Sequence, residues 1–119
     1  MTDPVMTVSS VVINVSDYER QKAFWTAVLG TEVANEHAPY FGWLRPQHPG
    51  GISVALQTVE HPTEGPRRLH LDADVADIEA AKAKILELGG SVVADREING
   101  FHWTTMADPE GNEFCIAVH

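Results

Sequence analysis

Three polar side chains alternate along one short stretch, His70, Asp72 and Asp74, and the only cysteine, Cys115, stands near the far end of the chain. Alternation at period two puts the three on one face of an extended strand, with Leu71, Ala73 and Val75 on the other. An imidazole near a carboxylate can move a proton or hold a ligand, and an ionised thiol can bind a metal. His70 is therefore the candidate acid–base residue, with ligand contact and a plain structural role as its alternatives. Asp72 reads as a ligand contact or as a solvated charge. Cys115 has no cationic helix terminus near it in sequence and reads first as an inert buried thiol. His37, His48 and His61 sit in loop-like stretches, His119 is terminal, and none shows metal-ligand spacing.

The elements that must position these residues are written twice. A shift of sixty residues, without gaps, lays Val15, Asp17, Glu19, Lys22, Ala23, Gly30, Val33, Ala34, Phe41, Trp43, Pro49 and Gly51 on Val75, Asp77, Glu79, Lys82, Ala83, Gly90, Val93, Ala94, Phe101, Trp103, Pro109 and Gly111. A repeat present only twice does not make a solenoid, which needs three or more stacked units. Val11, Ile13 and Val15 alternate with Ser10, Val12 and Asn14 as a half-buried strand. Asp17 and Asp77 are placed to cap helices, and Ser16 with Glu19 offers a capping box. Phe24, Ala27 and Val28 in the first helix, and Ile78, Ala81, Ile85 and Leu88 in the second, form apolar stripes that need a sheet to lie on. Gly30 and Gly90 end the helices. Extended runs follow at 32–34 and 41–44, and at 91–94 and 101–106. Turns at 49–51 and 108–111 precede a last strand; the second is a plain β-turn rather than a calcium or phosphate loop.

Each half thus reads strand, helix, strand, strand, strand. The expected fold class is α+β, with one module over about 8–58 and another over about 68–118 in a single domain 1–119, joined by an exposed connection at 60–68. Val54 and Leu56, and Phe114, Ile116 and Val118, should face the helices. Ser53, Ala55, Gln57, Glu113, Cys115 and Ala117 then share the opposite face with Ser10 and His70. Trp43 and Trp103 either wall a flat ligand or fill ordinary core. One of His102 and Trp103 must point to the polar face.

The formal charge of −9 and the pI near 4.9 oppose the basic footprint that nucleic acid or an anionic membrane requires. A lone cysteine excludes an internal disulfide, and neither a cationic leader nor an eighteen-residue apolar run is present, so a soluble cytoplasmic protein is expected. Glu32, Glu36, Asp95 and Glu97 read as solvated surface.

The chain resembles the vicinal oxygen chelate superfamily, which includes glyoxalase I, bleomycin resistance proteins and extradiol dioxygenases. The resemblance rests on Val15, Ser16, Asp17 through Ala23, Phe24, Trp25 to Val28, Leu29, Gly30, and on His70, Leu71, Asp72 before a helix ending Leu88, Gly89, Gly90. The closing run Asp108, Pro109, Glu110, Gly111, Asn112, Glu113, Phe114, Cys115 is similar to the glyoxalase-like branch. The resemblance implies two βαβββ modules in an open, curved, barrel-like mixed sheet with helices outside, enclosing a ligand site. It also implies metal ligands on the first and fourth strands, at places held here by Ser10, Ala55, His70 and Cys115. Only His70 keeps the expected donor, so no catalytic metal is expected. The expected function is binding of a small organic molecule, with His70 as the catalytic candidate and Ser10, Asp72, Trp43, Trp103 and Cys115 as ligand contacts, in a homodimer. One alternative is a metal-dependent lyase, isomerase or dioxygenase whose ligands have moved to His70, Asp72, Glu113 or Cys115. Another is a non-catalytic interaction module.

Overall fold

Period-two alternation makes β1 (Thr7–Val15), and the chain then runs α1 (Tyr18–Leu29), β2 (Val33–His37), β3 (Phe41–Leu44) and β4 (Ser53–Thr58). The second series is β5 (Leu69–Asp74), α2 (Ile78–Glu87), β6 (Ser91–Ile98), β7 (Phe101–Ala107) and β8 (Glu113–Ala117). The computed structural model describes residues 4–64 and 68–118, so the connection expected at 60–68 and His119 lie partly or wholly outside the described residues. The α+β class and the doubled βαβββ order are as the sequence leads one to expect, in an eight-stranded mixed sheet.

Among the described residues, those between 10 and 70 form one compact unit, and 71–118 with 4–9 form a second; the division falls inside β5, between His70 and Leu71. In the first unit β4 runs parallel to β1, β3 antiparallel to β4, and β2 antiparallel to β3. The second unit repeats this: β8 runs parallel to β5, β7 antiparallel to β8, and β6 antiparallel to β7. The parallel pairing requires a crossover, and each helix supplies it.

Asp17 accepts a hydrogen bond from the Arg20 backbone N–H at 3.2 Å, and Asp77 from that of Ala80 at 2.9 Å. The expected capping box of Ser16 and Glu19 does not form: Asp17 is itself the cap, and Glu19 pairs with Lys22 at 3.0 Å. Gly30 ends α1 in the left-handed region at φ 66°. After α2 that conformation falls to Gly89, at φ 106°, rather than Gly90. Gly90 is needed for space instead, because a Cβ there would lie 2.6 Å from Ile85 Cγ2 and 2.9 Å from the Ala107 carbonyl.

The stripe expected on α1 is also shifted. Phe24 and Val28 are exposed, while Tyr18 is buried and Trp25 packs beside it on Val15 and Leu56. The larger Tyr18 and Trp25 rings, about two helical turns apart, take the sheet-facing arc, and Phe24 rests edge-on against Trp25 at 5.3 Å between centroids. On α2, Ala81 and Ile85 are buried and Ile78 packs against Ala73, Val75, Met106 and Ile116, but Leu88 lies beyond the helix and is exposed. Leu71 and Val118, expected against the helix, are exposed as well. Strands β2 and β6 extend past their expected ends, to His37 and Ile98, so His37 belongs to a strand rather than a loop.

Candidate functional site

Register fixes which side chains share the face turned away from α2. Asp72 pairs with Cys115 across β5 and β8, Cys115 with Thr105 across β8 and β7, and Trp103 with Arg96 across β7 and β6. Ala73, Ile116 and Met106 pack with the helix on one side. Strand alternation therefore sends His70, Asp72, Cys115, Thr105, Trp103 and Arg96 to the other.

Three of these converge. A ring nitrogen of His70, a carboxylate oxygen of Asp72 and Cys115 Sγ all lie within 4.8 Å of one another. His70 is 7% and Cys115 8% exposed, and Asp72 is half-buried. Asp72 joins the group because it shares a strand face with His70 and its Cα is the register partner of Cys115, so it needs no displacement along the strand. Ser9 Oγ donates to the Asp72 carbonyl oxygen at 3.2 Å, holding that point of β5 to the start of β1.

Two residues that the sequence did not single out extend the cluster. Thr105, fully buried, places Oγ1 3.5 Å from Cys115 Sγ and accepts from Arg96 Nε at 3.0 Å. Neither carries a motif, and only the pairing of β7 with β8 and β6 brings them to the cysteine. Trp103 occupies the same face, 5.9 Å from Phe101 between ring centroids, while His102 turns away and sits 4.0 Å from Glu97.

The first unit has a different face at the corresponding places. Ser10 pairs with Ser53, Val12 with Ala55, and Trp43 with Ala55, and Phe41 and Trp43 stack at 4.4 Å with His37 6.5 Å from Trp43. Ser10, Val12 and Ala55 are buried. Trp43 thus lies opposite the Val15, Tyr18 and Leu56 core rather than in it. Ala55 has no donor atom, so a metal site could not be completed at that residue.

Charges on the helix side serve packing in both units. Tyr18 donates to Glu36 at 2.6 Å, and Lys22 bridges Glu36 at 3.2 Å and Glu19 at 3.0 Å. Lys82 bridges Asp95 at 3.0 Å and Glu79 at 3.4 Å, and Thr104 donates to Asp95 at 2.8 Å. Burial and then the Glu36 carboxylate hold the Tyr18 phenol well above its ordinary value, whereas that phenol's hydrogen bond and Lys22 hold Glu36 below its own. Lys82 and Thr104 likewise lower Asp95. Glu36 and Asp95 are therefore members of ion-pair networks rather than the plain solvated surface the sequence suggested, and Glu32 pairs with Arg45 at 2.9 Å. An open groove of about 320 Å³, lined by Glu19, Lys22, Thr26, Thr31 and Glu32, contains none of the clustered residues.

A pair of βαβββ modules with a polar strand face opposite the helices is the architecture of the vicinal oxygen chelate superfamily. The family model of the glyoxalase-like domain matches residues 10–117, and the chain belongs to that family. A methylmalonyl-CoA epimerase from Mycobacterium tuberculosis is similar in fold, at 15% identity over 99% of this chain and 91% of that one, with a TM-score of 0.75. A glyoxalase/bleomycin resistance protein/dioxygenase superfamily member from Vibrio splendidus is 21% identical over 96% and 99% of the two chains, with a TM-score of 0.64. The Mn(II)-bound glyoxalase from Novosphingobium aromaticivorans is 24% identical over 96% of this chain and 39% of its own, with a TM-score of 0.61. At these identities the likeness is one of fold. The comparison with curated proteins gives no match.

Proposed function

We propose that this protein binds a small organic molecule against the face formed by β5, β8 and β7, with His70 as the group that exchanges a proton with it. The observation supporting this is the convergence of His70, Asp72 and Cys115 on a largely buried strand face. A few convergent polar groups beside aromatic walls are the usual make-up of a ligand site. His70 and Asp72 supply polar recognition, Cys115 and Trp103 shape the wall, and Ser10 and Trp43 serve on the face of the other unit. The homodimer belongs to the same proposal, and sedimentation velocity tests it.

The mixed donor set favours a second reading, a divalent cation at the cluster. Imidazole nitrogen and thiolate sulfur on one tetrahedral zinc lie about 3.6 Å apart, from bond lengths of about 2.0 and 2.3 Å. The 4.8 Å span therefore closes with a side-chain shift of about 1 Å. Three protein donors fit a zinc ion with one open position, and a thiolate suits zinc better than a hard cation. Bound there, such an ion would polarise a substrate oxygen. His70, Asp72 and Cys115 would hold it.

Metal analysis of protein made without a histidine tag, paired with native mass spectrometry for retained small molecules, separates the readings. A retained organic molecule without stoichiometric metal supports the first. Stoichiometric zinc that is lost in His70→Ala supports the second and overturns the first. Failure of any small molecule to bind, with the face filled by its own side chains, would leave an interaction module.

A further inference from the structure

Arg96 is the one lysine or arginine carried by a strand among residues 71–118; Lys82 and Lys84 lie on α2. Its Nε donates to the buried Thr105 hydroxyl at 3.0 Å, which fixes the guanidinium on the same face as Cys115 and Asp72. Its two terminal nitrogens donate to no described residue. An arginine anchored by Nε presents its remaining pair of N–H groups as a planar fork, the geometry that matches a carboxylate in two parallel hydrogen bonds. A guanidinium on a polar face of a chain with formal charge −9 is also the group on that face that attracts a negative ligand.

We propose that Arg96 is a specificity-determining residue and that the ligand class is a planar monocarboxylate with an unsaturated or aromatic body. This rests on the reading of the β5, β8 and β7 face as a ligand site. Trp103 is the register partner of Arg96, so a flat group bonded to the carboxylate meets an indole on the neighbouring strand. Asp72, Asp74 and Glu113 occupy the same face by alternation, and these acids disfavour a phosphate dianion that a single arginine cannot neutralise. The terminal fork of Arg96 takes the carboxylate, and the rest of the molecule extends over Trp103 toward His70 and Cys115.

The test is a matched series of probes, benzoate, phenylacetate and cinnamate, each against its own amide. Binding is measured by calorimetry and by the indole N–H resonance of Trp103, on the unaltered protein and on Arg96→Gln and Arg96→Lys. Arg96 is exposed on an edge strand, so both variants are expected to keep the circular dichroism of the parent. The expected result is a preference for carboxylate over amide of about 10- to 100-fold, lost in Arg96→Gln and reduced in Arg96→Lys, while amide binding stays the same in all three proteins. Equal binding of acids and amides to the parent, or a preference that survives Arg96→Gln, overturns the assignment of Arg96 and leaves the ligand site standing. Absence of binding by both series up to about 10 mM overturns the inferred ligand class, whereas the reading of the face as a ligand site falls only if the purified protein retains no small molecule either.

Discussion

Replacing Thr105 by Val tests the contact that anchors Arg96 on the strand beside Cys115. The side chain is fully buried, and its hydroxyl accepts from Arg96 Nε at 3.0 Å and meets Cys115 Sγ at 3.5 Å. Valine keeps the volume, so no cavity opens and only the polar contacts are lost. A hydrogen bond to a charged donor contributes about 1.5–3 kcal/mol in a buried setting. Arg96 is exposed and regains water when released, which reduces the expected loss to about 1 kcal/mol, with little added by the weak sulfur contact. For a chain of this length that lowers the thermal midpoint by about 3–6 °C. Thermal unfolding followed by near-ultraviolet circular dichroism reads it, and a double-mutant cycle with Arg96→Met isolates the pair. A coupling of about 0.5–1.5 kcal/mol is expected, since the two side chains touch. A coupling within about 0.3 kcal/mol of zero would refute the Arg96 to Thr105 bond, and with it the anchoring of the guanidinium beside Thr105.

Gly42→Ala would put a Cβ 2.0 Å from the Tyr18 hydroxyl, forcing the ring off Glu36. The expected cost is about 2–4 kcal/mol in urea unfolding, and a loss under about 1 kcal/mol contradicts the packing described. The pH limits follow from shifted groups on the helix side and in the 108–111 turn. Glu36, Asp95 and Asp108 are held below their ordinary 4.5, 3.8 and 3.8, chiefly by Tyr18, Lys82 and Asn112 respectively. Their stabilisation is complete above those ordinary values and is lost as pH falls through the lowered ones, so acid unfolding begins below about pH 4 and Glu36→Gln flattens that limb. Tyr18 has the opposite sign: its pKa is raised, so its contribution is complete below pH 10 and declines as pH rises further. A stability profile flat from pH 9 to 12 contradicts the burial of that phenol. Cobalt(II) reports on the second functional reading. A thiolate charge-transfer band is expected on addition, absent in Cys115→Ser and weakened in His70→Ala, and a spectrum unchanged in both excludes a cation at the cluster.

What the sequence made legible is what lies close along the chain. Asp17 and Asp77 announce helix starts because an N-cap acts on a backbone three residues away, and Gly30 announces an end because few other residues accept φ 66°. The sixty-residue repeat carries the order of elements, and alternation alone puts His70 and Asp72 on one face. Across-strand register is a different kind of information. Nothing local says that Thr105 rather than Trp103 faces Cys115, or that Arg96 folds back onto Thr105, since each pairing is set by turns several residues away. Asp72 is legible as a candidate, but its place opposite Cys115 is not. Counted along its own strand it stands one side-chain step from the family's ligand position at His70, yet the parallel register with β8 brings it beside Cys115. On α1, Phe24 and Val28 outweigh Tyr18 in hydrophobicity, but the helix turns its face by what the sheet can satisfy. Tyr18 finds Glu36 as an acceptor and Lys22 above its ring at 5.3 Å, partners that Phe24 could not use. The cluster is consequently a product of register: Ala55 offers no donor, while Asp72, on the same strand as His70, stands opposite Cys115 of β8 and makes the group three.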